Sequence, residues 1–144
     1  MQTEPTSSTY HGLPKRWVDR FEFFDAHGAP GSPAYKAAFK QIPFLQRIKI
    51  GGNFFAFFFG PIYFLVCGLW RTAIATLGLT CAACVIAAAL MMFVPGDRAA
   101  DMIARMAGLA VALICAQVAN YAVYRKEVKR EAERWNFFKL IRWI

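Results

Sequence analysis

The sequence predicts an all-α membrane protein, and three observations lead to this fold class. Of its 144 residues, 58% are hydrophobic, which exceeds the roughly 45–50% of a typical soluble domain. Two long stretches carry no charged side chain, while Lys and Arg accumulate near both ends of the chain. We therefore expect N-terminal amphipathic helices, a hinged re-entrant or interfacial helical segment, a two-helix transmembrane hairpin and a basic C-terminal amphipathic helix.

Residues 1–49 are predicted to form a cytoplasmic region with two short amphipathic helices. The first extends from Pro14 to Gly28, because Pro suits a first helical turn and Gly a C-terminal stop. The second begins at Ser32 and Pro33, a typical cap and first position. Each has one apolar stripe, formed by Trp17, Phe21 and Phe24 in the first and by Tyr35, Phe39 and Ile42 in the second.

Residues 72–94 and 106–124 are predicted to be the two transmembrane helices. The first run has 23 uncharged residues, about 34 Å as a helix, and a hydrocarbon core is roughly 30 Å thick. The second has 19, which is also long enough. The intervening residues 95–105 are predicted to be an exported loop with two acids and two bases, in which "PGDR" breaks the chain and residues 99–105 resume helical character. Residues 125–144 continue as a cytoplasmic basic helix, because no Pro or Gly interrupts the chain after Gly108.

The segment 50–71, "IGGNFFAFFFGPIYFLVCGLWR", is apolar enough to enter a bilayer but contains Gly60-Pro61 at its centre. Proline removes a helix hydrogen bond and favours a bend. A full span here would export one of two basic flanks, each with seven Lys or Arg, against the positive-inside rule. We therefore predict two half-helices that enter from the cytoplasmic face and return to it, with a third transmembrane span as the alternative. The hinge and candidate partner site comprises Asn53, Gly60, Pro61, Trp70 and Arg71.

Small side chains recur at every fourth position of both transmembrane helices and let helix backbones approach closely in lipid. This helix-packing set comprises Thr76, Thr80, Cys84, Ala88, Ala104, Gly108, Ala112, Ala116, Gln117 and Asn120. Pairing of the two helices explains the set most simply, and a homo-oligomer or a larger membrane partner is the alternative. For Gln117 and Asn120, interhelical hydrogen bonding is favoured over a transport site, because no carboxylate lies nearby.

The C-terminal residues combine basic and aromatic side chains, a composition that suits an anionic lipid surface. The predicted lipid-facing set is Arg125, Lys126, Lys129, Arg130, Arg134, Trp135, Lys139, Arg142 and Trp143. Nucleic-acid binding is the competing interpretation of a net charge of +8. Tethering to a membrane and the lack of a stacking or groove-binding motif argue against it, so we expect anionic lipids and no nucleic acid as partners.

The sequence gives no arrangement of residues that indicates catalysis, a cofactor or a metal ion. Cys81 and Cys84 form a CxxC pair, but both lie mid-span without a second pair, so packing is favoured over metal or redox chemistry. His11 and His27 have no nucleophile or paired carboxylate beside them in the sequence. We therefore predict a protein that is not an enzyme, with no cofactor.

The run "NFFAFFFGPIYFLVCGLWR", preceded by "RIKI", resembles the domain-of-unknown-function 2628 family of small bacterial inner-membrane proteins. Members are similar in having a short aromatic N-terminal region, an "AFFFGP" core and an aromatic-basic exit into hydrophobic helices. The resemblance extends over residues 10–80. It implies a protein of the bacterial cytoplasmic membrane and no particular activity.

Two functions remain open. The first is a non-enzymatic accessory protein that binds a membrane partner or an anionic lipid surface in a regulatory, protective or assembly role. The alternative is a small oligomeric channel or transporter subunit with a polar site around Gln117, Asn120 and the Gly60-Pro61 hinge, since half-helices that meet at membrane depth form such sites elsewhere. A membrane enzyme ranks third, because its reactive group would have to come from a partner.

Overall fold

The computed structural model describes Tyr10 and residues 12–131, and over these residues the chain forms seven α-helices. They are α1 (Lys15–His27), α2 (Pro33–Gln41), α3 (Phe44–Gly51), α4 (Phe54–Phe59), α5 (Pro61–Val66), α6 (Trp70–Phe93) and α7 (Asp97–Glu127). The all-α prediction is confirmed for this part of the chain.

The N-terminal region contains three short helices, one more than predicted. α1 ends where Gly28 takes a φ of 79° and donates its N–H to the Phe24 carbonyl oxygen. α2 begins behind Ser32, whose Oγ accepts a hydrogen bond from the Tyr35 N–H at 3.1 Å. The additional helix, α3, follows Pro43. Its eight residues are too few to establish a helical period in the sequence, which is why the pattern does not predict it.

An aromatic core joins α1 and α2 to the C-terminal end of α7. Phe21 and Phe24 are buried, and their rings lie 5.5 and 5.2 Å from the ring of Tyr124. Tyr35 stacks on Phe24 at 5.9 Å. Aromatic pairs of this kind contribute about 0.5–1.5 kcal/mol beyond their burial. The N-terminal helices are therefore fixed to one end of α7.

The two long helices, α6 and α7, pack against each other and are joined by residues 94–96. With 24 and 31 residues, they are long and apolar enough to cross a membrane. In their most apolar stretches, only 11% and 22% of the residues are buried. A core helix of a soluble protein would be mostly buried, so these exposed apolar surfaces favour a lipid environment.

The helix α7 differs from the prediction at both ends. It begins at Asp97, two residues before the predicted return of helical character at residue 99, so most of the predicted exported loop, residues 95–105, is helical. Asp97 favours this start because its charge lies at the positive end of the helix dipole, and Asp101 pairs with Arg105 at 2.8 Å one turn later. The helix ends at Glu127, whereas the sequence predicts a continuous basic helix over residues 125–144.

The basic helix stops because the backbone of residues 129–131 leaves helical geometry. Arg130 has a φ of 47°, and the Glu131 N–H donates to the Arg125 carbonyl oxygen at 3.2 Å while its carboxylate pairs with the Arg125 guanidinium. Lys129 is directed to Asp25 of α1. A helix through residues 128–131 is therefore a wrong prediction. The remaining predicted lipid-facing residues lie outside the described residues: Arg134, Trp135, Lys139, Arg142 and Trp143.

Residues 53–67, here called the aromatic segment, contain two six-residue helices, α4 and α5, on either side of Gly60. Gly60 has a φ of 48° and a ψ of −123°, the first central position of a type II′ turn, which Gly occupies without strain. Pro61 follows as the first residue of α5, where its missing N–H costs no hydrogen bond. α4 packs against α7 and α5 against α6.

Candidate functional site

The aromatic segment is joined to α7 by a buried pair of asparagines. Asn53 Nδ2 donates to Asn120 Oδ1 at 3.1 Å, and Asn120 Nδ2 donates to the carbonyl oxygens of Ile50 and Gly52, both at 2.9 Å. The Asn53 N–H donates to the Ala116 carbonyl oxygen, also at 2.9 Å. Both side chains are almost fully buried. Asn120 thus bonds to the chain that enters the aromatic segment, rather than to the other long helix.

Every polar atom of the Asn53 side chain has a partner. Its Nδ2 also donates to Tyr63 Oη at 2.8 Å, which ties α5 to the start of α4. Its Oδ1 accepts from the N–H groups of Phe55 and Ala56 at 3.1 and 3.3 Å, which caps α4. Asn53, Tyr63 and Asn120, here called the asparagine network, therefore fix the position of the segment. Their donors and acceptors are already used by the protein itself.

The other end of the aromatic segment is held near the same end of α7. Lys126 Nζ donates to the Cys67 carbonyl oxygen. Gly68, with a φ of 68°, allows this approach, because a Cβ there would lie 2.5 Å from Lys126 Nζ. Asn53 meets α7 at Ala116 and Asn120, only a few turns before Lys126. Both ends of the segment therefore lie beside the C-terminal part of α7.

An apolar groove of about 410 Å³ lies between the Gly60 turn and the two long helices. Residues 57–61 form one wall of this Gly60 groove. Small side chains of the predicted packing set line the rest: Thr80, Cys84 and Ala88 from α6, and Ala104, Gly108 and Ala112 from α7. A Cβ added at Gly108 would meet no atom within 4 Å. Close pairing of α6 with α7 therefore does not explain this glycine.

The surface of the Gly60 groove is mainly apolar, although Thr80 lines it. The hydroxyls of Thr76 and Thr80 donate to carbonyl oxygens one turn earlier, at 2.9 and 2.8 Å, so neither presents a free donor. Thr76, Ala116 and Asn120 are buried and do not line the groove. On the outer wall, Phe58 and Phe59 expose 63% and 56% of their surface. The groove is suited to packing against apolar surface and not to binding polar ligands.

Other predicted site residues lie away from this groove. Trp70 and Arg71 form the first turn of α6, with the Arg71 guanidinium 5.1 Å from the Trp70 ring centroid. Gln117 is half-buried in α7 and does not line the groove. Of the predicted hinge set, Gly60 and Pro61 line the groove, Asn53 caps α4, and Trp70 and Arg71 do not line the groove.

The cysteines do not form a metal-binding arrangement in the described part of the chain. Cys81 and Cys84 are exposed on α6, and Cys115 is buried in α7. Among residues 12–131, no three His, Cys, Asp or Glu side chains come close enough together to hold a metal ion.

A second polar cluster joins α1 to the C-terminal end of α7. The Asp25 carboxylate accepts hydrogen bonds from the phenol groups of Tyr10 and Tyr124 and pairs with Lys129 Nζ at 3.1 Å. Burial raises the pKa of Asp25, but these three hydrogen bonds outweigh the effect of burial and place the pKa below its ordinary value of 3.8. The sequence contains no signal for this cluster, because Asp25 and Tyr124 are 99 positions apart.

Three of the predicted lipid-facing basic side chains have partners inside the protein. Arg125 pairs with Glu131, Lys126 bonds to the Cys67 carbonyl oxygen, and Lys129 pairs with Asp25. Arg130 is exposed. At this end of α7, the basic residues therefore fasten neighbouring segments to the helix, which composition alone does not reveal.

Comparison with known proteins identifies a family. The family model described as "Protein of unknown function (DUF2628)" matches residues 3–130. Relatives from Escherichia coli (strain K12) and Salmonella typhimurium (strain LT2), both named "Uncharacterized protein YigF", are 40% identical over 121 residues, which cover 81% of this chain and 86% of each relative. No solved structure matches the chain. The family resemblance of residues 10–80 is thus confirmed, and the chain belongs to the DUF2628 family.

Proposed function

We propose that this protein is a non-enzymatic accessory protein of the bacterial inner membrane, with both termini in the cytoplasm. Helices α6 and α7 cross the membrane as a hairpin, and the aromatic segment enters from the cytoplasmic side and returns to it. The Gly60 groove receives a transmembrane helix of a partner protein. A regulatory, protective or assembly role suits a site that consists mainly of apolar packing surface.

The length and attachment of the aromatic segment support re-entry over a third span. Two helices of six residues measure about 18 Å end to end, less than the roughly 30 Å of a hydrocarbon core. Asn53 and Cys67, at its two ends, are both bonded to the C-terminal part of α7. The Gly60 turn lies further along the hairpin, beside Ala104 and Gly108. The aromatic segment therefore begins and ends near the same end of α7.

The observation that carries the proposed function is an uncovered groove beside a rigidly held wall. The asparagine network fixes the wall, because both asparagine side chains use all their donors within the protein. The floor consists mainly of small side chains, with Met91 and Val111 among them, and Phe58 and Phe59 remain exposed. In lipid, helices associate through close packing of small residues, since the hydrophobic effect gives no advantage there. A partner helix would therefore gain contacts that flexible lipid chains provide less well.

The structure gives less support to a channel or transporter. A transport site needs polar groups that can exchange partners with a substrate or ion. The Asn120 amide already donates to two carbonyl oxygens and accepts from Asn53, so it has little capacity for a ligand. The Gly60 groove is mainly apolar, and neither Asn120 nor Gln117 lines it. We therefore place the channel hypothesis second.

The role of the Gly60 groove can be tested with the same substitution at two glycines, one that lines the groove and one that lies outside it. Gly108→Leu fills the groove, while Gly78→Leu places the same side chain on α6 outside it, and at both positions an added Cβ meets no atom within 4 Å. A photoreactive amino acid replaces Phe58 in the full-length protein, which is irradiated in native membranes. We expect a discrete cross-linked partner with the parent chain and with Gly78→Leu, and its loss with Gly108→Leu.

Two results would contradict this proposal. One is a cross-link pattern that Gly108→Leu leaves unchanged at equal protein abundance. The other is the absence of any cross-linked protein, together with a lone monomer after purification. A cross-link only between two differently tagged copies would replace the partner protein with self-association.

A further inference from the structure

A cleft of about 650 Å³ lies between α1 and α3, away from the Gly60 groove. It is lined by charged side chains, with Ile42, Gln46 and Ile50 completing one side. The cations are Lys15, Arg16, Arg20 and Lys49, and the acids are Asp19 and Glu22. Within the described part of the chain, none of these four cations forms an ion pair. With four cations and two acids, the α1–α3 cleft therefore carries a net charge of +2.

Arg20 is held in a fixed orientation within this cleft. Its Nε donates to the Lys49 carbonyl oxygen at 2.6 Å, and its guanidinium lies 5.1 Å from the Trp17 ring centroid. Burial lowers the pKa of Arg20, the phenol of Tyr63 raises it, and the nearby charge of Arg16 lowers it further. A bound anion would relieve this repulsion. After Arg20 Nε has donated to Lys49, the other N–H groups of the guanidinium can still donate to two oxygens of a bound anion.

The helix α3 presents an apolar surface next to these cations. Phe44, Leu45 and Ile48 expose 71%, 72% and 53% of their surface. Leu45 and Lys49 are four residues apart and so are neighbours on the helix surface. An exposed apolar face bordered by basic residues is typical of a helix that lies in a membrane interface. The place where α3 joins α7 is consistent with a position in the membrane interface. The carbonyl oxygens of Ile50 and Gly52, at the end of α3, accept hydrogen bonds from Asn120 in the C-terminal part of α7.

We propose that the α1–α3 cleft binds the phosphate of an anionic phospholipid, while Phe44, Leu45 and Ile48 lie among its acyl chains. This inference rests on the membrane location in the proposed function and extends it by naming a lipid class. Arg16, Arg20 and Lys49 contact the phosphate oxygens, and the hydrogen bond from Arg20 Nε to the Lys49 carbonyl oxygen holds the guanidinium in the cleft. A lipid is favoured over a soluble phosphate because the exposed apolar face needs acyl chains to cover it.

The experiment uses the full-length protein in nanodiscs with equal phosphatidylglycerol and phosphatidylcholine, and native mass spectrometry counts the lipids that it retains. Arg16→Ala/Lys49→Ala is compared with Lys36→Ala/Lys40→Ala, which removes the same charge from exposed positions of α2 outside the cleft. Each basic residue near an anionic surface contributes roughly fivefold, so the preference for phosphatidylglycerol should fall about 25-fold in the cleft variant only. Equal losses in both variants, or none in either, would overturn the proposal.

Two further comparisons distinguish a lipid phosphate from free phosphate, and a failure of the lipid site from a failure of the docking groove. Phe44→Ser/Leu45→Ser should weaken phosphatidylglycerol retention, whereas displacement of the lipid by millimolar inorganic phosphate would show a soluble-phosphate site instead. Gly108→Leu should retain phosphatidylglycerol normally. If the parent chain shows no lipid preference but keeps its Phe58 cross-link, only the lipid site fails. If it prefers the lipid but forms no cross-link, only the docking groove fails.

Discussion

Asn53 Nδ2 donates to Asn120 Oδ1 at 3.1 Å, across 67 positions of sequence. This contact joins the start of α4 to the interior of α7, and the two residues bury nearly all of their surface. Because Asn53 also caps α4 and bonds to Tyr63, one side chain fixes both arms of the aromatic segment. The hydrogen bond between these asparagines therefore helps to fix the position of the wall of the Gly60 groove.

Replacing Asn120 should destabilise the protein more than replacing its polar neighbour. Asn120→Ala leaves the carbonyl oxygens of Ile50 and Gly52 without their donor, and we expect a loss of about 1–3 kcal/mol in unfolding free energy. Gln117→Ala should change it by less than about 0.5 kcal/mol, since Gln117 is only half-buried. Unfolding in detergent, followed by circular dichroism, measures both values. Similar losses in the two variants would contradict the assigned role of Asn120.

The coupling between the asparagines can be measured directly. Asn53→Ala and Asn120→Ala remove opposite sides of one hydrogen bond, so the double variant should lose less stability than the sum of the single variants. In membrane proteins such coupling averages about 0.6 kcal/mol and rarely exceeds about 1.7 kcal/mol. Strict additivity would show that the network is not a unit.

The backbone at Gly60 should tolerate no other common residue without strain. Its φ of 48° with a ψ of −123° is disfavoured for residues with a Cβ, and a Cβ there would meet no atom within 4 Å. Gly60→Ala should therefore cost about 1–3 kcal/mol through backbone conformation alone. Gly78→Ala is the matched control, since Gly78 lies inside α6 with equal space and Ala favours a helix by up to about 1 kcal/mol. A neutral Gly60→Ala variant would show that the turn adopts another conformation.

Elements that depend on local chemistry are predictable from this sequence. Gly28 and Ser32 mark helix ends because their backbone and side chain supply the required hydrogen bonds within a few residues. The two long helices are predictable because an uncharged run of sufficient length has few other stable environments.

Features that depend on distant partners could not be predicted. The end of α7 at Glu127 follows from contacts such as Lys129 with Asp25, which composition does not encode. The small-residue set predicts a surface that permits close approach, yet Gly108 faces an open groove and not α6. Likewise, the bond between Asn53 and Tyr63 depends on the turn at Gly60, which brings α5 back toward α4.

The Asp25 cluster should make stability depend on acidic pH. Because the pKa of Asp25 is lower in the folded protein, its contribution is fully present above the ordinary value of 3.8 and is lost as pH falls through the folded pKa. The side chain is partly exposed, so we expect Asp25→Asn to lose about 1 kcal/mol at pH 7. The difference from the parent chain should shrink below about pH 4. Thermal unfolding at pH 7 and pH 3 measures it, with exposed Asp19→Asn as the control.

The attachment of both ends of the aromatic segment to α7 predicts the membrane topology. Asn53 and Cys67 bond to residues near the C-terminal end of α7, so the chain before α4 and the chain after α7 should lie on one side. Reporters that are active on only one side of the membrane, fused at each terminus and inserted at Asp97, test this. We expect cytoplasmic signals from both termini and an external signal from Asp97, because both basic flanks then stay inside. Termini on opposite sides would make the aromatic segment a third span, although its two six-residue helices are short for that purpose.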